Sequence, residues 1–126
     1  MWWAPFVGIP YGTGPGELTC WSLVCRIYAE RLGVELPAYG DISAKDLIAV
    51  ARAMRAPQER WRPVEAPSPY DVVLMRHSET RGAGHVGVMV DARRLIHVQR
   101  ATASVVVPVG HFSVAGKILG YRRYQA

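Results

Sequence analysis

The chain has 126 residues, half of them hydrophobic, with a formal charge of +5 and two cysteines. That is enough apolar material for one small domain, residues 1–126, with a single core. It excludes a disulfide scaffold, and no apolar run approaches the roughly 18 residues that a membrane span needs. Arg93-Arg94 and Arg122-Arg123 are the only adjacent arginines. No zinc finger, basic helix or aromatic–glycine signature accompanies them, so the charge reads as a solvated surface, with no nucleic-acid partner expected.

Residues 2–7 are apolar and are expected to form a short leading segment packed on the domain. Met1-Trp2-Trp3-Ala4-Pro5 lacks a basic n-region and a long apolar stretch, so no secretory signal is expected. With two cysteines, the chain is expected to fold in a reducing cytoplasm. Glycine and proline punctuate Gly8–Gly16, which reads as an irregular loop. A helix then follows, with Thr19 as N-cap and Leu23, Val24, Ile27, Tyr28 and Leu32 as its apolar stripe. Gly33 is its stop.

This places Cys20 in the first helical turn, where unpaired N–H groups and the helix dipole favour an anion. A thiol there is expected to ionise more easily than the free group, whose pKa is about 8.5. The alternative is plain: a cysteine heading an apolar stripe is usually a small core residue. Cys25, inside the helix, fits that alternative better. Five residues on a helix turn through about 140°, so Cys20 and Cys25 are not expected to form a disulfide.

A second helix is expected from Ser43, with Leu47, Ile48, Ala51 and Met54 buried and Pro57 at its end. Residues 57–70, with Pro57, Pro63, Pro67 and Pro69, read as an extended connector anchored by Trp61. The period then shortens. Asp71–Arg76 is a buried strand, and Glu79–Gly84 reads as a mobile loop. His85–Val90 and Leu95–Gln99 flank a polar turn at Asp91–Arg94, which is a hairpin signal. Ser104–Pro108 and Leu119–Tyr124 supply two more strands. Helices first and antiparallel strands afterwards make this an α+β domain.

A thiol nucleophile needs a base to take its proton and a third group to orient that base. Of the four histidines, His85 and His97 stand on opposite arms of the hairpin, twelve residues apart. With a turn of three or five residues, positions an even number apart share a face, and His97 across from Gly87 would lie diagonal to His85. A turn of two or four residues would separate them. Taken singly, each histidine reads first as an ordinary strand residue with a satisfied ring. His77 and His111 read as surface residues. Two histidines and a cysteine could bind zinc, but no fourth ligand is evident, and no cofactor is expected.

Gly8-Ile9-Pro10-Tyr11, Cys20-Trp21-Ser22-Leu23-Val24, Glu35-Leu36-Pro37, Asp71-Val72-Val73-Leu74, His85–Val90, Leu95–Val98 and Gly120–Tyr124 resemble, in the same order, the NlpC-type papain-like cell-wall cysteine peptidases. The resemblance is nearest to the branch encoded with phage tails and gene-transfer particles. It implies a papain-like α+β fold, with N-terminal helices packed on a C-terminal antiparallel sheet or half-barrel. It also implies an endopeptidase that cuts peptidoglycan stem peptides, typically between D-glutamate and diaminopimelate. Cys20 would be the nucleophile, His85 the general base and acid, and His97 the group orienting His85. Tyr11 matches a tyrosine lining the site. Backbone N–H groups at the helix start, that of Cys20 among them, would hold the oxyanion, with Thr19 and Trp21 flanking it.

By the same resemblance the partners are stem peptides and phage-like tail-tip or hub proteins. The chain would be made in the host cytoplasm, carried in the virion tail and used on the cell wall. Two positions depart from the family pattern: Thr19 where Asp is usual, and Ser22 where Gly is usual. The Asp helps receive a free amino group, so Thr19 is expected to favour capping the helix and to admit intact cross-linked wall. Thr19 equally supports a tail-assembly subunit that keeps the fold with little or no hydrolysis. A circularly permuted acyltransferase is disfavoured because that class places His before Cys.

Overall fold

The computed structural model describes residues 1–36, 61–76, 83–100 and 102–125. The expected helix from Ser43 to Met54 lies outside the described residues, as do His77 and residues 79–82 of the expected loop. Helix α1 spans Cys20–Ile27 and continues into a π-helical turn, Tyr28–Leu32, that Gly33 ends in the left-handed region (φ 66°). Leu23, Val24, Ile27 and Tyr28 are buried as the stripe requires. Leu32 is not: the wider turn carries it to the surface.

Six strands follow: β1 (Trp61–Val64), β2 (Val72–Arg76), β3 (Ala83–Met89), β4 (Arg94–His97), β5 (Val105–Pro108) and β6 (Ile118–Tyr124). They form one antiparallel sheet in the order β1-β6-β2-β3-β4-β5. The mixed α+β class is therefore as expected. The connector is not wholly a connector, because Trp61–Val64 pairs with β6 at the sheet edge, where Pro63 is tolerated. Trp61 is still an anchor, its ring 5.6 Å from that of Tyr28 and 5.3 Å from that of Tyr124.

The pleat sends alternate residues to two cores. Val72, Leu74, Val86, Val88 and Ile96 pack with Leu23, Val24 and Ile27 of α1. Val73, Met75, Met89, Leu95 and Val107 face the other way and are closed by Val114. The leading segment packs as expected, with Phe6 buried and Trp2 Nε1 donating to Val90 O at 3.3 Å. Asp71, 2% exposed, holds the sheet to the preceding turn through Arg123, at 2.8 and 3.0 Å.

Candidate active site

The loop before α1 is folded back on itself. Leu18 N–H donates to Pro10 O at 2.9 Å, Gly12 N–H donates to Leu18 O at 3.2 Å, and Tyr11 bridges Leu18 in parallel. Tyr11, half-buried, is thereby held alongside the residues that lead into Cys20. Thr19 is the N-cap, as expected. Its Oγ1 accepts from Ser22 N–H at 3.2 Å, while Ser22 Oγ accepts from Thr19 N–H at 2.7 Å, a reciprocal capping box. The two positions that depart from the family pattern are thus partners in one local motif.

Cys20 is 5% exposed. Burial pushes its thiol up to about 11, against backbone hydrogen bonds from Val86, Trp21 and Cys20 itself that pull the other way. This corrects the expectation of an easily ionised thiol: three amide dipoles do not offset the loss of water around the sulfur. The sulfur rests on the backbone of β3 at Val86, the residue after His85. Trp21 is 3% exposed; its side chain belongs to the core, and its backbone N–H meets the sulfur. Cys25 is half-buried and forms no disulfide with Cys20.

His85 and His97 are brought together. Their rings meet through His85 Nε2 and His97 Nδ1 at 2.8 Å. The three-residue turn Asp91–Arg93 is what allows it. Val90 N–H donates to Arg94 O at 2.9 Å, and Asp91 Oδ1 accepts from the N–H groups of Arg93 and Arg94, both at 2.8 Å. The resulting register, Met89 with Leu95 and Val88 with Ile96, next sets His97 across from Gly87. A side chain at Gly87 would lie 2.7 Å from Ile96 O and 3.2 Å from His97 Cβ, so glycine is needed for the strands to close.

A register shift in the β2–β3 ladder gives β3 an extra residue, Gly84, just before His85. Such bulges re-aim the neighbouring side chain. His97 is 3% exposed. Burial lowers its pKa to about 4, assisted by the charges of His111 and Lys117, so the ring is neutral at physiological pH. With His97 Nδ1 as acceptor, a proton on His85 Nε2 is held toward it.

Sequence reading missed two contributors. Ser104, 2% exposed, accepts from Ile9 N–H at 2.9 Å through Oγ and donates that hydroxyl to Phe6 O. It ties the start of β5 to the loop before Cys20, yet a serine opening a strand carries no such signal. His111 read as a surface residue, but it is half-buried and its charge reaches His97. Among the described residues no group of three or more His, Cys, Asp or Glu could hold a metal, and no helix is long and apolar enough to cross a membrane.

The NlpC/P60 family model matches residues 8–118. A structure from Staphylococcus aureus subsp. aureus Mu50, described as similar to a lipoprotein of the NLP/P60 family, superposes with a TM-score of 0.68 at 16% identity over 99% of this chain. An NlpC/P60 family protein from Bacillus cereus ATCC 10987 gives 0.67 at 21% identity over 96%. The chain spans only 39% and 37% of those two proteins. The NlpC/p60 domain of the peptidoglycan hydrolase SagA gives 0.60 at 18% identity, covering 95% of this chain and 91% of that domain. No curated protein matches the chain.

Proposed function

The chain belongs to the NlpC/P60 family, and from that premise we propose that it is a cysteine endopeptidase hydrolysing amide bonds in peptidoglycan stem peptides. The observation that carries the reading is the bonded pair of imidazoles, His85 on β3 and His97 on β4, with the backbone of β3 at Val86 meeting the Cys20 sulfur. The similarity to the NlpC/p60 domain of the peptidoglycan hydrolase SagA supports the substrate class.

The mechanism follows from the proton balance. The buried thiol is protonated at rest, so attack on the amide carbonyl is coupled to transfer of the Cys20 proton to His85 Nδ1. The imidazolium that forms donates from Nε2 to neutral His97, which must accept and must therefore stay uncharged. Backbone N–H groups around Cys20 and Trp21 lie where the oxyanion develops. His85 then protonates the departing amine, leaving an acyl-enzyme on Cys20. Water, deprotonated by His85, attacks it and frees the thiol.

The finer reading is a bond of the D-glutamate–diaminopimelate type, cut by an enzyme carried in a phage-like tail tip with hub proteins as partners. It rests on the sequence words around Tyr11, Cys20, His85 and His97. Thr19 adds a specificity. Its hydroxyl is committed to Ser22 and offers no carboxylate to a free amine, so intact cross-linked wall is the expected substrate. A strong preference for free tripeptide over purified sacculi would contradict this.

One observation favours a second reading. Cys20 is 5% exposed, as a core residue of a non-hydrolytic tail-assembly subunit would be. Release of soluble fragments from sacculi separates the two. Under the peptidase reading, Cys20→Ala and prior iodoacetamide treatment both abolish release. No release by the wild type supports the assembly subunit, and release that survives Cys20→Ala removes Cys20 from the chemistry.

A further inference from the structure

The segment 109–117 between β5 and β6 has no periodicity, but it is held at both ends. Val109 N–H donates to Arg93 O at 2.9 Å, and Lys117 O accepts from Arg76 N–H at 2.7 Å. Val114, 1% exposed, packs among Met75, Met89 and Leu95. These residues alternate in the pleat with the helix-facing set and share the parity of His85 and His97. The segment therefore lies over the face of the sheet that carries the histidine pair.

Within it the turn is tightly bonded. His111 N–H donates to Pro108 O at 2.9 Å, Val114 and Ala115 N–H both reach His111 O, at 3.0 and 2.8 Å, and His111 Nδ1 meets Ser113 Oγ at 2.7 Å. Phe112 nonetheless stands 87% exposed, its ring 4.4 Å from the imidazole of His111 at an interplanar angle of 33°. A large aromatic group held in water by an ordered turn forgoes the usual gain from burial. Segment 109–117 contains no acidic residue, and among the described residues no carboxylate pairs with Lys117. His111 and Lys117 both act electrostatically on His97, in keeping with a segment laid over the histidine face.

We propose that His111, Phe112 and Lys117 form a subsite for the acidic stem peptide, with Lys117 taking a free carboxylate and Phe112 packing on the adjoining aliphatic chain. The inference rests on the peptidoglycan reading above and says where that substrate is gripped. A lysine ammonium suits a carboxylate met in partial solvent. A ring braced by its own turn gives contact area with little further loss of side-chain freedom.

The test compares an acidic stem peptide with the same peptide amidated on its carboxylates. Wild-type protein is expected to prefer the acidic form by about tenfold in kcat/KM, and Lys117→Gln to bring that ratio close to one. Phe112→Ala is expected to raise KM severalfold for both peptides with kcat nearly unchanged. Both positions are on the surface segment, so unchanged melting temperatures show that folding is intact. Titration calorimetry on Cys20→Ala, with and without Lys117→Gln, reads binding without chemistry. Here too the second substitution should weaken the acidic peptide about tenfold. A Lys117→Gln effect equal on both peptides, or absent, overturns the subsite while leaving the peptidase standing. Charge-dependent binding in a wild type that cleaves neither peptide supports the subsite and overturns the peptidase.

Discussion

Cys20 is positioned by its own stretch of chain, from the bridge at Tyr11 to the capping box that Thr19 makes with Ser22. The His85–His97 pair is positioned by the sheet, through a three-residue turn, a bulge at Gly84 and a glycine facing His97. The two halves also differ in how burial affects them. Burial raises the thiol to about 11 and lowers His97 to about 4. Both shifts favour the uncharged form. The site is therefore neutral at the sulfur and at His97, and in the proposed mechanism charge separation belongs to the reaction. A cap controls one half within a single turn, while the other half responds to any change in strand register.

The strongest test of that difference is His97. Its removal should leave the fold of the loop before Cys20 alone but takes away the partner of His85 Nε2. His97→Ala is expected to lower kcat on wall peptides by roughly a thousandfold. His97→Asn, whose side-chain oxygen can accept from Nε2, should recover a large part. Equal losses in both variants would mean that His97 only fills space.

The same residue should make stability depend on pH. Folded His97 titrates near 4, against 6.5 for the ordinary group. Between those values the unfolded chain binds a proton that the folded one does not. Its contribution is fully present above pH 6.5 and falls as the pH drops toward 4, by up to about 3 kcal/mol. Urea unfolding at pH 7.5 and 4.5 measures it. His97→Gln should lack this component, whereas variants in the capping box should keep it.

Gly87→Ala tests the register directly. The added carbon would sit 2.7 Å from Ile96 O, so β4 must shift from β3 and lengthen the 2.8 Å imidazole contact. A loss of about 2 kcal/mol in urea unfolding is expected, with kcat falling alongside it. Unchanged kcat in a destabilised protein would show that the pair tolerates a shift the geometry forbids.

What the sequence revealed divides along the same line. Thr19 as cap, the stripe from Leu23 to Tyr28 and the shared face of the two histidines all follow from short-range rules, the last because a turn of odd length preserves parity. The proton affinity of Cys20 did not follow, since burial raises it, and that burial comes from packing against strands far away in the chain. Strand β1 was hidden for the same reason: its partner is β6, and Pro63 reads as a connector. Leu32 fits the helical stripe, and only the π-helical turn exposes it. Nothing periodic in residues 109–117 indicates that they cover the histidine face.

The smallest effect expected is at Thr19, and it separates capping from recognition. Thr19→Ala removes the acceptor for Ser22 N–H and should cost about 1 kcal/mol, a few degrees in Tm, with kcat/KM on sacculi lowered no more than a few-fold. Thr19→Asp keeps a good cap, and its charge suits the helix N-terminus, so Tm should stay within a degree or two of the wild type. It also restores a carboxylate beside Cys20. If Thr19 tunes substrate choice, Thr19→Asp shifts hydrolysis from sacculi toward free peptides bearing an amine, while Thr19→Ala does not. If both variants keep the wild-type ratio of sacculi to free peptide, the hydroxyl is a cap alone, and the choice of substrate must be made farther from the sulfur.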